Sequence, residues 1–168
     1  MVGDALRFVL VPAMMAFAAS TDLLTQKISN FVPATLAVGF FILAALDGMP
    51  ITDIGGHVAV GLAVLIVATV FFARGWCGGG DVKLAAATAL WFGSTHVLDY
   101  LLYTSLLGGA LTLLVLEFRR RELPPMLANQ AWLTQWHQPT GGVPYGIALA
   151  SAALLVYPST AWLHPAAR

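Results

Sequence analysis

Apolar residues fall into unbroken runs, at about 5–22, 31–46, 57–73, 82–93, 96–116 and 143–157, separated by short polar or glycine-rich breaks. None of the runs shows the two-residue alternation of a barrel strand, and an open sheet would leave backbone groups unpaired in hydrocarbon. The pattern predicts an all-α polytopic membrane protein with about six transmembrane helices. Asn30 stands where a side-chain oxygen can cap the second helix, and Pro33 falls in its first turn, where a missing amide donor costs little. Pro12 predicts a kink in the first helix. From Asp81 to Thr95 there are 15 residues, about 22 Å as a helix against a hydrocarbon core of about 30 Å, so either Asp81 is drawn inward or the bilayer thins there.

The exception to the apolar pattern is the stretch 117–142, which opens with Arg119-Arg120-Arg121 and is broken by Pro124-Pro125. Ala128, Ala131, Trp132 and Trp136 share one helical face, with Asn129, Gln130 and Gln135 mostly elsewhere, which predicts an interfacial helix on the inner leaflet. The arginines set topology and touch anionic lipid. A sharper reading has them gather a substrate leader or an assembly partner.

Composition settles the solvent. Of 168 residues, 59% are hydrophobic and 10% charged, which excludes an ordinary soluble domain and leaves room for a single membrane-embedded domain over residues 1–168. Eight basic residues balance eight acidic ones, so no basic surface points to nucleic acid. A lone cysteine, Cys77, allows neither an internal disulfide nor a zinc knuckle. His57, His96, His137 and His164 lie in different segments without the i, i+4 spacing of a helical metal site, and we read them as interface residues. The stretch from Leu6 to Ala19 lacks a preceding cluster of positive charge and is read as a retained helix rather than a signal peptide.

Where the charges lie orients the chain. Lys27, Arg74, Lys83, Arg119, Arg120 and Arg121 fall on one side, and Arg7 and Arg168 on the other, which makes the first side cytoplasmic and puts both termini outside. Asp22, at the inner end of the first helix, then shares a depth with Asp81, at the inner start of the fourth. Asp4, Asp47, Asp53 and Asp99 map to the outer side or near it. Ionisable residues at membrane depth are functional by default, and two carboxylates that meet can run acid–base hydrolysis. Gly78-Gly79-Gly80 before Asp81 frees the backbone for positive φ and for close approach of another chain. Lys83, about 200° around the helix from Asp81, should not pair with it; it is either a snorkelling anchor or a group that shapes the site. Pro144, Tyr145 and Gly146 read as a helix start with an interfacial aromatic, or as substrate-positioning residues. No Gly-x-Ser-x-Gly occurs. The alternative class is a small transporter or ion-conducting subunit using the aspartates as proton or cation sites, though it lacks the internal repeat common in transporters.

Gly78-Gly79-Gly80-Asp81-Val82-Lys83-Leu84 resembles the Gly-x-Gly-Asp-x-Lys-Leu signature of the type IV prepilin peptidases. Asp22 followed by Lys27-Ile28-Ser29-Asn30 is similar to that family's first catalytic segment, with Lys27 where arginine is frequent, and Val143-Pro144-Tyr145-Gly146-Ile147-Ala148 resembles its third signature. Preflagellin peptidases and signal-peptide peptidase relatives share the Gly-x-Gly-Asp element. The resemblance implies an aspartic endopeptidase of the bacterial inner membrane in which Asp22 and Asp81 activate water, without metal or cofactor. Its substrates would be prepilins or pseudopilins with a hydrophilic leader ending in glycine, cleaved on the cytoplasmic side, and pilus assembly machinery is a candidate partner. Lacking the paired Cys-x-x-Cys region of the long enzymes, the chain resembles the short branch of Flp-type tight-adherence pili, without methyltransferase activity. Asp81 at a helix N-terminus and Asp22 at a helix C-terminus would leave the shared proton on Asp22.

Overall fold

A computed structural model describes residues 2–122, 130–138 and 141–163. It contains helices α1 (Val2–Thr25), α2 (Phe31–Leu46), α3 (Ile51–Ala73), α4 (Gly79–Arg120), α5 (Ala131–His137) and α6 (Tyr145–Val156), then a 3-10 turn, Tyr157–Ser159. No strand occurs among the described residues. α1 from Leu6, α3 and α4 are long and apolar enough to cross a membrane, and α2 and the stretch Tyr145–Ser159 are shorter apolar helices.

The predicted fourth and fifth helices are the two arms of α4, which breaks at Gly93 (φ 57°, ψ −163°). That backbone conformation belongs essentially to glycine. Asp81, Val82 and Ala85 before the break and Val97, Leu101 and Thr104 after it line one groove, so the second arm folds back along the first. His57 of α3 occupies the break. Its Nδ1 lies 2.7 Å from Leu90 O, the carbonyl that a straight helix pairs with residue 94, and a Cβ at Gly93 would fall 2.7 Å from its Cε1. His57 is thus a part-buried plug within the bundle, not the membrane-interface residue expected. We expect Gly93→Ala to destabilise the protein by about 3 kcal/mol, since strain and overpacking add at one residue, and to lower the thermal midpoint in detergent by about 5–10 °C.

The first arm, residues 79–92, is only about 21 Å long, and protein rather than lipid surrounds most of it: Leu84, Ala89, Trp91 and Phe92 are buried, as are Ala148, Leu149, Ala152 and Ala153 of α6. A helix sheltered in this way need not match the bilayer. The longer α3 and second arm carry the outward apolar faces, including Ile66, Val67, Leu102, Leu113 and Leu114. Trp91 Nε1 donates to Leu36 O (2.9 Å) and Trp162 Nε1 to Trp91 O (2.7 Å), satisfying two indoles in the core. Near the same end, Arg7 pairs with Asp47 and Tyr157 Oη donates to Arg7 O (2.7 Å).

α1 runs through Pro12 as one helix, and the sharp break falls in α4. One local expectation changes. Asn30 occupies the N-cap position of α2 without a side-chain cap bond; Ser29 Oγ instead accepts from Phe31 N–H (3.2 Å). The separate helix of the polar stretch is α5, which carries Ala131, Trp132 and Trp136 as expected, while α4 extends through Arg120. Pro124, Pro125, Ala128, Asn129, His164 and Arg168 lie outside the described residues.

Candidate active site

Three chain segments converge on Asp22. The residue lies in the last turn of α1 and is 4% exposed, and its Oδ2 accepts a hydrogen bond from the Gly146 N–H at 2.7 Å, in the first turn of α6. A Cβ at Gly146 would lie 2.7 Å from Asp22 Oδ2 and 2.7 Å from Ile28 Cδ1. Ile28, from the loop after α1, also covers Gly80, where a Cβ would lie 3.0 Å from Ile28 Cβ. One isoleucine is therefore wedged between two glycines of different helices, and it draws all three motifs together.

Asp81 is the third residue of α4, and its Oδ2 accepts from the Gly78 N–H at 3.0 Å, one half of a capping box. It is half-buried and lines the groove between α3, the second arm of α4 and α6. Asp22 and Asp81 interact as charges. Among the described residues no basic group forms an ion pair with either carboxylate. Lys83 points elsewhere, donating from Nζ to Asn30 Oδ1 at 2.8 Å, so these two predicted residues meet each other and tie the start of α2 to α4. Lys27 is exposed on its loop.

The glycines act by close approach. Gly78 is extended (φ −77°, ψ 150°), and the positive φ angles of this region belong to Gly75 and Gln26 rather than to Gly78, Gly79 or Gly80. Helix ends do not separate the two carboxylates as expected. Asp22 is indeed at the C-terminal end of α1, but it simultaneously accepts from the N-terminus of α6, so both carboxylates face a positive helix end.

Pro144 is buried at the N-cap of α6. Tyr145 lies against Gly108, where a Cβ would come within 2.6 Å of its ring, and its Oη is 3.1 Å from Thr112 Oγ1. Tyr145 shares the lining of the groove with Asp81, and the remaining wall is mostly apolar, with Val64, Val67, Phe71 and Leu101. The groove has a volume of about 700 Å³. Cys77 stands at its rim, its thiol pushed up by burial and by the charge of Asp81, so it is not an activated thiolate.

One residue carries more than its sequence context promised. Arg119 Nε donates to Trp136 O (2.8 Å), and its Nη2 donates to Gly141 O (2.8 Å) and Gly142 O (2.9 Å). It thus holds the stretch of chain that leads into Pro144-Tyr145-Gly146. Gln26 Nε2 also donates to Gly142 O (3.0 Å), and Trp136 Nε1 to Leu23 O (3.1 Å). Arg120 and Arg121 are exposed and pair with Glu117. A run of three arginines gives no signal of which one turns inward.

The type IV leader peptidase family model matches residues 9–113, which is more than half of the chain and includes both aspartates. The chain belongs to the type IV leader peptidase family. This leader peptidase is therefore a membrane hydrolase of prepilin-type substrates, and the transporter reading falls away. No curated protein and no solved structure matches the chain. The third motif, Val143 to Ala148, lies beyond the matched stretch, and what ties it to the other two in this peptidase is the Gly146–Asp22 hydrogen bond. In the same way Arg119 ties the approach to that motif. Arg119→Gln should slow leader cleavage by about tenfold or more, because loss of a positioning group displaces reacting atoms, and Arg119→Lys should recover only part of the rate, since one ammonium cannot span three carbonyls as the planar fork does. The paired substitution of Arg120 and Arg121 by glutamine should leave the rate near wild type when inserted enzyme is compared at equal abundance.

Proposed function

We propose that this peptidase is an aspartic endopeptidase that removes the leader of Flp-type prepilins at the cytoplasmic face of the bacterial inner membrane, with Asp22 and Asp81 as its catalytic pair. The observation that supports this most is that the charge of Asp81, at the start of α4, acts on Asp22 of α1, while Asp81 lines an apolar groove. Two like charges that interact without a basic partner share a proton between them. The ionised carboxylate takes a proton from water, the resulting hydroxide attacks the scissile carbonyl, and the protonated partner polarises that carbonyl and later returns a proton to the leaving amine. No covalent enzyme intermediate is needed.

The groove supports the substrate class. Its mostly apolar wall suits a hydrophobic helix that stays in the bilayer, while the hydrophilic leader remains at the polar end with the carboxylates. Tyr145, which follows Pro144, lines the groove where it can position the backbone between the two, and Lys83 with Asn30 ties the start of α2 to α4. Facing the lysines and arginines to the cytoplasm follows the positive-inside rule and puts both termini outside. The absence of paired Cys-x-x-Cys motifs supports cleavage without methylation of the new N-terminus, and residues 117–142 serve as the cytoplasmic interfacial segment of one domain.

The test is cleavage of a Flp-type prepilin in liposomes containing the purified chain, read by mass spectrometry. The expected products are the leader, ending in glycine, and a mature pilin with a free, unmethylated N-terminus. Cleavage of a preflagellin or of a pseudopilin alone would move the assignment to another substrate branch, and no cleavage of any pilin-like protein would overturn it.

A further inference from the structure

Just past Asp22, where α1 ends, the backbone takes a turn that glycine usually makes. Gln26 has φ 52°, and among the described residues it alone of the non-glycines has positive φ. Its N–H donates to Asp22 O (2.9 Å), the single bond that closes a helix on a left-handed residue. Glycine adopts that conformation freely and asparagine better than most side chains, whereas glutamine is strained there. A residue held under such strain points to something its side chain supplies.

That side chain crosses to a distant part of the sequence. Gln26 Nε2 donates to Gly142 O (3.0 Å), four residues before Gly146, whose N–H donates to Asp22 Oδ2 (2.7 Å). The contacts close a ring, from Asp22 O to the Gln26 N–H, from the Gln26 side chain to Gly142, and from Gly146 back to the Asp22 carboxylate. Within the link between the two glycines, Tyr145 N–H donates to Val143 O (2.8 Å), and Pro144 has its φ fixed by its ring. The Gly146 N–H is thus placed from the same end of α1 that carries Asp22. Gly142 O accepts a second bond, from Arg119 Nη2 (2.9 Å), so its two lone pairs are filled from α1's end and from α4. Gln26 is part-buried and is not one of the residues that line the groove, so it can act on the carboxylate without touching a substrate there.

We propose that Gln26 is a positioning residue for leader cleavage: strained at the end of α1, it ties Gly142 to the turn bearing Asp22 and so holds the Gly146 N–H on the Asp22 carboxylate. The tie stands on the geometry alone, and its part in turnover rests on the peptidase reading above.

Gln26→Asn separates the side chain from the backbone, because asparagine suits positive φ but is one methylene too short for Gly142. Hydrogen exchange of the purified chain in liposomes, read by mass spectrometry, should show the peptide covering 141–147 exchanging about tenfold faster in Gln26→Asn. Exchange of α2 should be unchanged, and the thermal midpoint in detergent no lower than wild type. On a Flp-type prepilin, kcat should fall about tenfold with KM unchanged. Gln26→Lys, which restores a donor of sufficient length, should return both exchange and kcat toward wild type. Unchanged exchange at 141–147 overturns the tie. Faster exchange with kcat unchanged overturns its part in turnover, and a midpoint that falls with the rate, without recovery in Gln26→Lys, overturns positioning in favour of a structural role. If exchange responds as expected while wild type cleaves no prepilin, the tie stands and the peptidase reading is what fails.

Discussion

Asp22→Asn and Asp81→Asn should each abolish leader cleavage, lowering the rate by about 10²–10⁴-fold or more at equal membrane abundance, with the fold intact. The substitutions are nearly isosteric. In each variant the new amide oxygen can stay toward the backbone N–H that the carboxylate meets, that of Gly146 for Asp22→Asn and that of Gly78 for Asp81→Asn, so both bonds keep an acceptor. What an amide cannot do is accept the proton of water or hand one to an amine. Removing one of two interacting negative groups also relieves their repulsion. Each variant should therefore melt no lower than wild type, and the combination of lost turnover with undiminished stability is what distinguishes a chemical role from a structural one. The measurement is prepilin processing by immunoblot alongside thermal denaturation in detergent. Full activity in either variant would sink the two-carboxylate mechanism.

Gly146→Ala should cost nearly as much, about 10²-fold in kcat. The added methyl would stand 2.7 Å from both Asp22 Oδ2 and Ile28 Cδ1, well inside contact distance, and neither neighbour is free to retreat: Asp22 is buried, and Ile28 is backed by Gly80. The carboxylate must move, and with it the short bond to the Gly146 N–H. The double variant Ile28→Val with Gly146→Ala removes the clashing Cδ1 and should recover part of the rate, although Ile28→Val alone leaves space unfilled and gains nothing. A recovery of this kind, measured as a double-mutant cycle, reports direct contact between the two sites. Additive losses instead would show that Gly146 acts through something other than the Ile28 wedge.

The carboxylates and the glycine differ in how far their roles can be read without a fold. Asp22 and Asp81 were visible as ionisable groups at the polar edges of apolar runs, and counting lysines and arginines by loop predicts that they share a depth. The all-helical class was equally visible, because lipid demands internal pairing of every backbone group and the runs lack strand alternation. Neither inference needs to know which helices are neighbours. The clash at Gly146 does, since glycine in a sequence shows where a side chain is missing but not what lies across from it. The same blindness hid the inward turn of Arg119, which sits in one basic run with Arg120 and Arg121, and the hydrogen bond that takes Asn30 to Lys83 rather than to its own helix. It hid the second helix end at Asp22, which belongs to α6, more than a hundred residues away in the chain.

Hydrophobic runs thus determined by themselves that this protein is a membrane helical bundle, and they marked two carboxylates at the polar edges of those runs, because those properties follow from the solvent that each residue meets. Tertiary structure alone decided that α4 folds back at Gly93 around His57, that Ile28 packs between Gly80 and Gly146, and that Asp81 and Tyr145 line one groove. Those depend on contacts between segments distant in the chain, where close approach, and not the local preference of any residue, determines what fits.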